Sequence, residues 1–291
     1  MTIQIRHIVR AMPHGAVLRK RRGRLLRPVK PSHKVELWYK TQLLAIVAQL
    51  RRVAREELLP ELKRLEPLYA RTTDGLVRDE QVPRRSLETT FSRMAQRFGG
   101  IGQTAQRLSD LAVERNAEAV DERLKAAIKA SLSIDISPVL NQSGPILDAM
   151  KAATKANIEL ITSIPDQFFE KLGDAVGKNM EAGMRFEDLA KEIERIGDVT
   201  ESRAKLIARD QTSKMNGAFN QARQTSLGIE RYIWKTSGDE RVRDDHAKND
   251  GDTFRWDKAP LTGHPGEDIN CRCVAIPVFD LEDDEKELLG L

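Results

Sequence analysis

The chain has 291 residues, 40% hydrophobic, 32% charged and 5% aromatic, with a formal net charge of +4. That is enough apolar material for one large domain or two ordinary ones, with long solvated helix faces. Two cysteines two positions apart supply no disulfide framework, no apolar run approaches the roughly 18 residues of a bilayer span, and the basic N-terminus lacks a continuous apolar stretch, so secretion and membrane insertion are not expected.

The charge is unevenly spread. Residues 1–100 carry 22 Lys and Arg against 9 Asp and Glu; residues 101–291 carry 26 against 35. A basic front end suits contact with nucleic acid or an acidic protein surface, and equally a solvated arm with no fixed partner. Residues 1–33 show no sustained period, hold Pro13, Pro28 and Pro31, and carry the cluster Arg19, Lys20, Arg21, Arg22 and Arg24. They read as an extended arm that only a partner would order.

A helix follows, with Ser32 near its start as a cap. Leu43, Ile46, Leu50 and Val53 step by three and four residues, a coiled-coil-like seam. Arg51, Arg52 and Arg55 lie outside that seam and give the helix a basic side. Pro60 either starts a new helix or kinks the old one, and Leu62, Leu65 and Tyr69 continue the face. Thr72 to Pro83 reads as a loop. The next helix carries Leu87, Phe91, Met94 and Phe98; Gly99, Gly100 and Gly102 break or bend it. Residues 103–132 are helical through Ala105, Leu108, Ala112, Leu124 and Ile128, ending before Ser137-Pro138 and Gly144-Pro145.

Two more helices are predicted over 146–162 and 165–182, the second capped by Ser163 with Pro165 in its first turn and Gly183 just past its end. A short helix over Phe186–Ile196 stops at Gly197-Asp198. Thr200 opens a long one that runs to Leu227, with Gly228 as its stop. Ala204, Ala208, Met215, Phe219 and Ala222 mark one face; Arg209, Thr212, Asn216, Asn220 and Arg223 mark another.

After Gly228 the period changes. Residues 231–236 and 253–256 and the run Cys271–Val278 read as strands, with Pro277 placing the third at an edge. Asp239 to His246 is short and polar enough for one or two helical turns. Residues 280–291 read as a solvated acidic tail. The fold class is thus mainly α with a small C-terminal α+β module: long amphipathic helices, then a short antiparallel sheet.

Several separated signatures fall in one order: Ala208-Arg209-Asp210-Gln211 and Asn216; Trp234-Lys235-Thr236; Asp239-Glu240-Arg241-Val242-Arg243; His246; Asp250-Gly251; Phe254; and Pro265-Gly266-Glu267-Asp268-Ile269-Asn270-Cys271-Arg272-Cys273. Together they resemble the head-morphogenesis domain of tailed phages, the Mu F-like minor head proteins, over about residues 165–278. Composition and period set off a basic arm (1–33), a helical region (34–164) and the acidic tail (280–291), and the resemblance makes residues 165–279 the head-morphogenesis domain. It implies a non-enzymatic minor structural protein of the phage head, acting in head morphogenesis near the portal vertex. Implied partners are the portal protein, the major capsid or scaffolding proteins, and packaged double-stranded DNA bound without sequence preference. The implied location is the virion, with the host cytoplasm during assembly. Some relatives carry an extra C-terminal toxin or enzyme domain; none is expected in the residues after Pro277.

Two chemistries remain open within the module. His246, His264, Cys271 and Cys273 are two imidazoles and two thiols, a set that suits tetrahedral zinc, although cysteines at i and i+2 of a strand converge only where the strand bends. The alternative is packed small residues beside hydrogen-bonded histidines. Asp239, Arg241, Arg243 and His246 read as an internal salt-bridge lattice, with Trp234 in the core, Gly266 in a tight turn and Asn270 in the same motif. The competing reading is a metal-dependent nuclease with His246 as base and Asp239, Asp244, Asp245 or Glu267 as ligands.

Overall fold

The computed structural model describes residues 26–69, 81–132, 134–140 and 144–279. The basic cluster Arg19, Lys20, Arg21, Arg22 and Arg24, most of the loop at 72–83 and the acidic tail at 280–291 lie outside the described residues.

The helices are α1 (His33–Val53), α2 (Leu59–Tyr69), α3 (Gln81–Gln96), α4 (Ile101–Leu132), α5 (Gly144–Glu181), α6 (Phe186–Ser226) and the short α7 (Asp244–Lys248). The strands are β1 (Arg231–Lys235), β2 (Thr253–Arg255) and β3 (Val274–Val278). Mainly α with a small antiparallel sheet is therefore the observed class. The chain divides into two compact units, each drawn from separate stretches: residues 37–109 with 156–208, and residues 1–36 with 110–155 and 209–291. Helices α4, α5 and α6 each contribute to both. Among the described residues no helix is long and apolar enough to cross a membrane.

In the first unit the predicted seam is the core. Leu43, Ile46, Leu50 and Val53 of α1 are buried, as are Leu62, Leu65 and Tyr69 of α2. Between the helices Ala54–Leu58 forms a π-helical turn. Pro60 has no N–H to give to the previous turn, and the wider turn lets the apolar face continue past it instead of breaking. The basic side of α1 meets acid: Arg55 forks to Glu194 at 2.8 and 2.9 Å, and Arg51 reaches Glu201 at 2.9 Å and also Asp198. Leu87 and Met94 of α3 are buried; Phe91 and Phe98 are only half-buried, and Thr90 fills the face between them. Gly99 and Gly100 make the turn as expected, whereas Gly102 lies inside the first turn of α4.

Two predicted breaks are absent. The expected pair of helices over 146–182 is one helix, α5, with Pro165 inside it. Ile161, Ile164, Phe168 and Leu172 are buried on both sides of the proline. Burying that continuous stripe outweighs the single backbone bond Pro165 cannot make. Ser163 caps nothing; its hydroxyl donates to the Leu160 carbonyl and accepts from Arg203. The expected break at Gly197-Asp198 is likewise absent, since α6 runs unbroken through both for 41 residues, about 60 Å. Gly197 serves another purpose: a β-carbon there would collide with the Arg51 guanidinium, so the missing side chain makes room for the ion-pair cluster. The true stops, Gly183 and Gly228, have φ of 62° and 77°. At each, the next N–H returns to a carbonyl five residues back, Met184 to Asn179 and Ile229 to Gln224.

In the second unit, residues 26–32 are not a free arm. Leu26 and Val29 are buried, Asn216 of α6 donates to the Val29 carbonyl at 2.9 Å, and Arg123 of α4 donates to the Lys30 carbonyl. Arg223 of α6 forks onto Asp121 of α4 with both bonds at 2.7 Å. So the second face of α6 is only partly solvated: Arg209 is exposed, but Thr212, Asn216, Asn220 and Arg223 are buried and bonded.

The sheet has the order β2-β1-β3, both pairs antiparallel, with Tyr232 opposite Phe254 on one side and Pro277 on the other. Pro277 is on an edge strand, as its missing N–H requires. β1 alternates, burying Tyr232 and Trp234; Val274 to Pro277 of β3 are buried in succession, so both faces of that strand are covered. Helix α6 supports the sheet through Asn220 and Gln224, which donate to the Ala275 carbonyl, and Gln224 accepts the Trp256 indole N–H at 3.1 Å. Strand β3 begins at Val274, after both cysteines rather than at Cys271.

Candidate functional site

The module's core is Tyr232, Trp234, Trp256, Cys271, Cys273 and Ala275, with Phe254 against it. Both tryptophans are core residues, as their strand-like contexts predict. Helix α7 sets His246 against this core with its ring edge-on to Trp234, centroids 5.3 Å apart.

The approach to the cysteines explains their convergence. Asn270 has φ of 58°, a left-handed conformation that asparagine tolerates better than most residues. It is held there from α6: its N–H donates to the Asp210 carboxylate at 2.8 Å, and its side-chain oxygen accepts from Arg209 at 2.8 and 3.0 Å. The chain turns at Asn270 and presents Cys271 and Cys273 before the strand starts. Both sulfurs then face one atom, His246 Nδ1, at 3.6 and 3.5 Å. The other ring nitrogen, Nε2, lies 2.9 Å from the Asp268 carboxylate. Because a carboxylate only accepts, Nε2 carries the hydrogen.

Three of the four residues singled out as metal ligands are thus brought together. The donor atoms of His246, Cys271 and Cys273 lie within 4.8 Å of one another, all buried. His264 is not with them. It is buried elsewhere in the module, its Nδ1 accepting from the Tyr232 hydroxyl at 2.8 Å. Burial lowers the His264 pKa and raises that of Tyr232, so the ring stays neutral and the phenol keeps its proton.

A hydrogen bond from Cys273 holds the Cys271 thiol down, to about 6, and the same bond with burial pushes Cys273 up. The backbone of Gly266 and of Cys273 also favours the Cys271 thiolate. Among the described residues the buried Trp234 indole N–H has no hydrogen-bond partner; it favours the Cys273 thiolate.

The surrounding motif residues form a lattice. Asp239 forks onto Arg272 at 2.6 and 2.7 Å and caps the Arg241 N–H at 3.2 Å. Arg243 donates to the Ile269 carbonyl at 2.8 Å and lies 3.5 Å from Asp268. Gly266 has φ of 96°, and a β-carbon there would lie only 3.3 Å from the Gly217 Cα of α6, so the turn needs both the conformation and the absent side chain. Glu267 accepts the His264 N–H at 2.8 Å. Sequence reasoning did not single out Asp268 as the partner of His246, nor Asp210 and Arg209 as the clamp on Asn270. Their only signal is membership in the same motif; the pairings span 22 and 60 or 61 residues.

Chemically, Cys271, His246 and Asp268 stand in the order that activates a thiol nucleophile. His246 and Cys271 are only 2% and 3% exposed, however, which closes that site to any sizeable substrate. Among the described residues Asp239, Asp244, Asp245 and Glu267 join no cluster that could hold a metal ion; Asp239 is engaged by Arg272, Asp245 accepts the His246 N–H and Glu267 accepts that of His264.

The fold and site define a helical protein ending in a small module whose polar motif residues brace one another. Comparison with known sequences names that module. The family model "Phage Mu protein F like protein" matches residues 170–276, and this part of the chain is similar to that family. The chain is 36% identical over 264 residues to an uncharacterized protein of Haemophilus influenzae, covering 90% of this chain and 57% of that protein. It is also 30% identical over 131 residues to an uncharacterized protein of Methanocaldococcus jannaschii, covering 43% of this chain and 19% of the other. It therefore spans little more than half the length of the first relative and about a fifth of the second. No solved structure matches it.

Proposed function

We propose that the protein is a minor structural component of a tailed-phage head. In this reading it acts in head morphogenesis at or near the portal vertex, and its basic N-terminal cluster meets packaged DNA. The observation that carries the reading is the similarity of residues 170–276 to the Mu F-like family. The construction of that domain supports a structural role. Asp239, Arg243, Asp268 and Asn270 are spent on internal bonds, and the cluster of His246, Cys271 and Cys273 is buried. Its partners are the portal protein and the capsid or scaffolding proteins that surround it.

Co-expression with the portal protein of the same phage tests the placement. A stable complex, and density for the domain beside the portal in the particle, is the expected result; a particle with no copy near that vertex overturns it. DNA contact has its own test. If the five basic residues Arg19, Lys20, Arg21, Arg22 and Arg24 each neutralise one phosphate, affinity for duplex DNA falls with a log–log salt slope of about −4.5, roughly 500-fold between about 50 and 200 mM. Replacing all five with glutamine should flatten that slope. Cleavage of plasmid DNA with magnesium, manganese or zinc, lost in His246→Ala, would instead establish the nuclease reading.

A further inference from the structure

We propose that His246 Nδ1, Cys271 Sγ and Cys273 Sγ bind one Zn²⁺ ion, which pins helix α7 and the Asn270 turn to the start of strand β3.

The distances suit such an ion. Zinc binds thiolate at about 2.3 Å and imidazole at about 2.0–2.1 Å, so a tetrahedral angle at the metal sets sulfur and nitrogen about 3.6 Å apart. The observed separations from Nδ1 are 3.6 and 3.5 Å. Hydrogen bonding alone explains the arrangement less well. With Nε2–H given to Asp268, a neutral ring has a single lone pair at Nδ1, which one thiol fills; hydrogen bonding gives the second sulfur no reason to stand equally close to that atom. A metal at the common focus of the three atoms satisfies all of them at once.

The surround is what a thiolate-ligated metal needs. Among the described residues the buried Trp234 indole N–H has no hydrogen-bond partner, and its ring stands edge-on to His246 with centroids 5.3 Å apart. The Asp268 carboxylate fixes the histidine tautomer from behind, the usual companion of a metal-bound imidazole. Soft sulfur and imidazole donors select against magnesium and calcium. Two thiolates neutralise a divalent ion, so the closed site buries no net charge, whereas a monovalent copper ion would leave one negative charge in the core. His264 is occupied by Tyr232 and supplies no bond; the fourth position falls to water.

The test uses the full chain without a polyhistidine tag, purified under reducing conditions and passed through metal-free buffer. Elemental analysis should find one zinc per chain. Cobalt substitution should give the near-ultraviolet thiolate-to-cobalt charge-transfer band and the intense visible bands of a tetrahedral site. His264→Asn should keep the metal; Cys273→Ser should lose or weaken it, along with part of the charge-transfer band. Should the cysteine variant fail to fold, a strong chelator should lower the melting temperature of the wild-type chain. Zinc well below one equivalent in protein folded by circular dichroism, with no charge-transfer band on adding cobalt, overturns the proposal. So does metal retained in a folded Cys271→Ser, Cys273→Ser double variant.

Discussion

Gly217→Ala sets two principles against each other. Gly217 lies in the interior of α6, where alanine is favoured over glycine by about 1 kcal/mol. Propensity alone therefore predicts a stabler protein. The tertiary structure predicts the reverse. A β-carbon at Gly217 would sit 2.6 Å from the Pro265 carbonyl oxygen, about 0.8 Å inside ordinary contact. The obstacle is backbone rather than the end of a flexible side chain, and the turn lies close along α6: a β-carbon at Gly266 would itself come within 3.2 Å of the Ser213 carbonyl one helical turn away. The turn also carries His264, which is tied to Tyr232 at 2.8 Å. Overpacking of this kind costs about 1–3 kcal/mol, so after the propensity gain of about 1 kcal/mol the net loss should be up to about 2 kcal/mol. Gly177→Ala in α5 is the control, because its β-carbon meets nothing within 4 Å and should gain up to about 1 kcal/mol. Urea unfolding followed by tryptophan fluorescence, with Trp234 and Trp256 in the affected module, reads both. If Gly217→Ala raises the midpoint as Gly177→Ala does, the close approach of α6 to the Pro265-Gly266 turn is refuted.

Other outcomes follow from single contacts. Arg223→Met removes both bonds to Asp121 and strands a largely buried carboxylate, so it should cost about 2–4 kcal/mol; adding Asp121→Leu should recover part of that loss in the same unfolding assay. Burial holds the His264 pKa below the ordinary histidine value, so the folded state takes up that proton less readily than the unfolded chain. Stability should therefore be fully present above about pH 6.5 and fall as pH drops below it, and His264→Gln should flatten the urea-midpoint profile between about pH 8 and 5. Asp250 is held below the usual carboxylate range, chiefly by the Thr236 N–H and also by Lys235. Its contribution is present above about pH 4 and is lost as pH falls further, a loss that Asp250→Asn should remove from acid-unfolding curves.

The sequence by itself determined the elements whose cause is local. The three- and four-residue steps of Leu43, Ile46, Leu50 and Val53 are a helix face in any context, and Gly183 and Gly228 end helices because only glycine reaches their φ without strain. The change of period after Gly228, and Pro277 at a sheet edge, were legible for the same reason. The tertiary structure alone decided whether a weak local break became a real one. Pro165 and Gly197 look like helix ends, yet each costs little beside the burial of a continuous stripe, and Gly197 is needed small for Arg51. It also decided which of four soft ligands converge. The residue types of His246, His264, Cys271 and Cys273 do not separate them. The separation comes from Asn270, turned into a left-handed conformation by Arg209 and Asp210 some 60 residues earlier, and from Tyr232, which takes His264 for its own hydroxyl. Contacts at that range leave no period and no spacing in a single sequence, because they depend on where α6 lies against the turn.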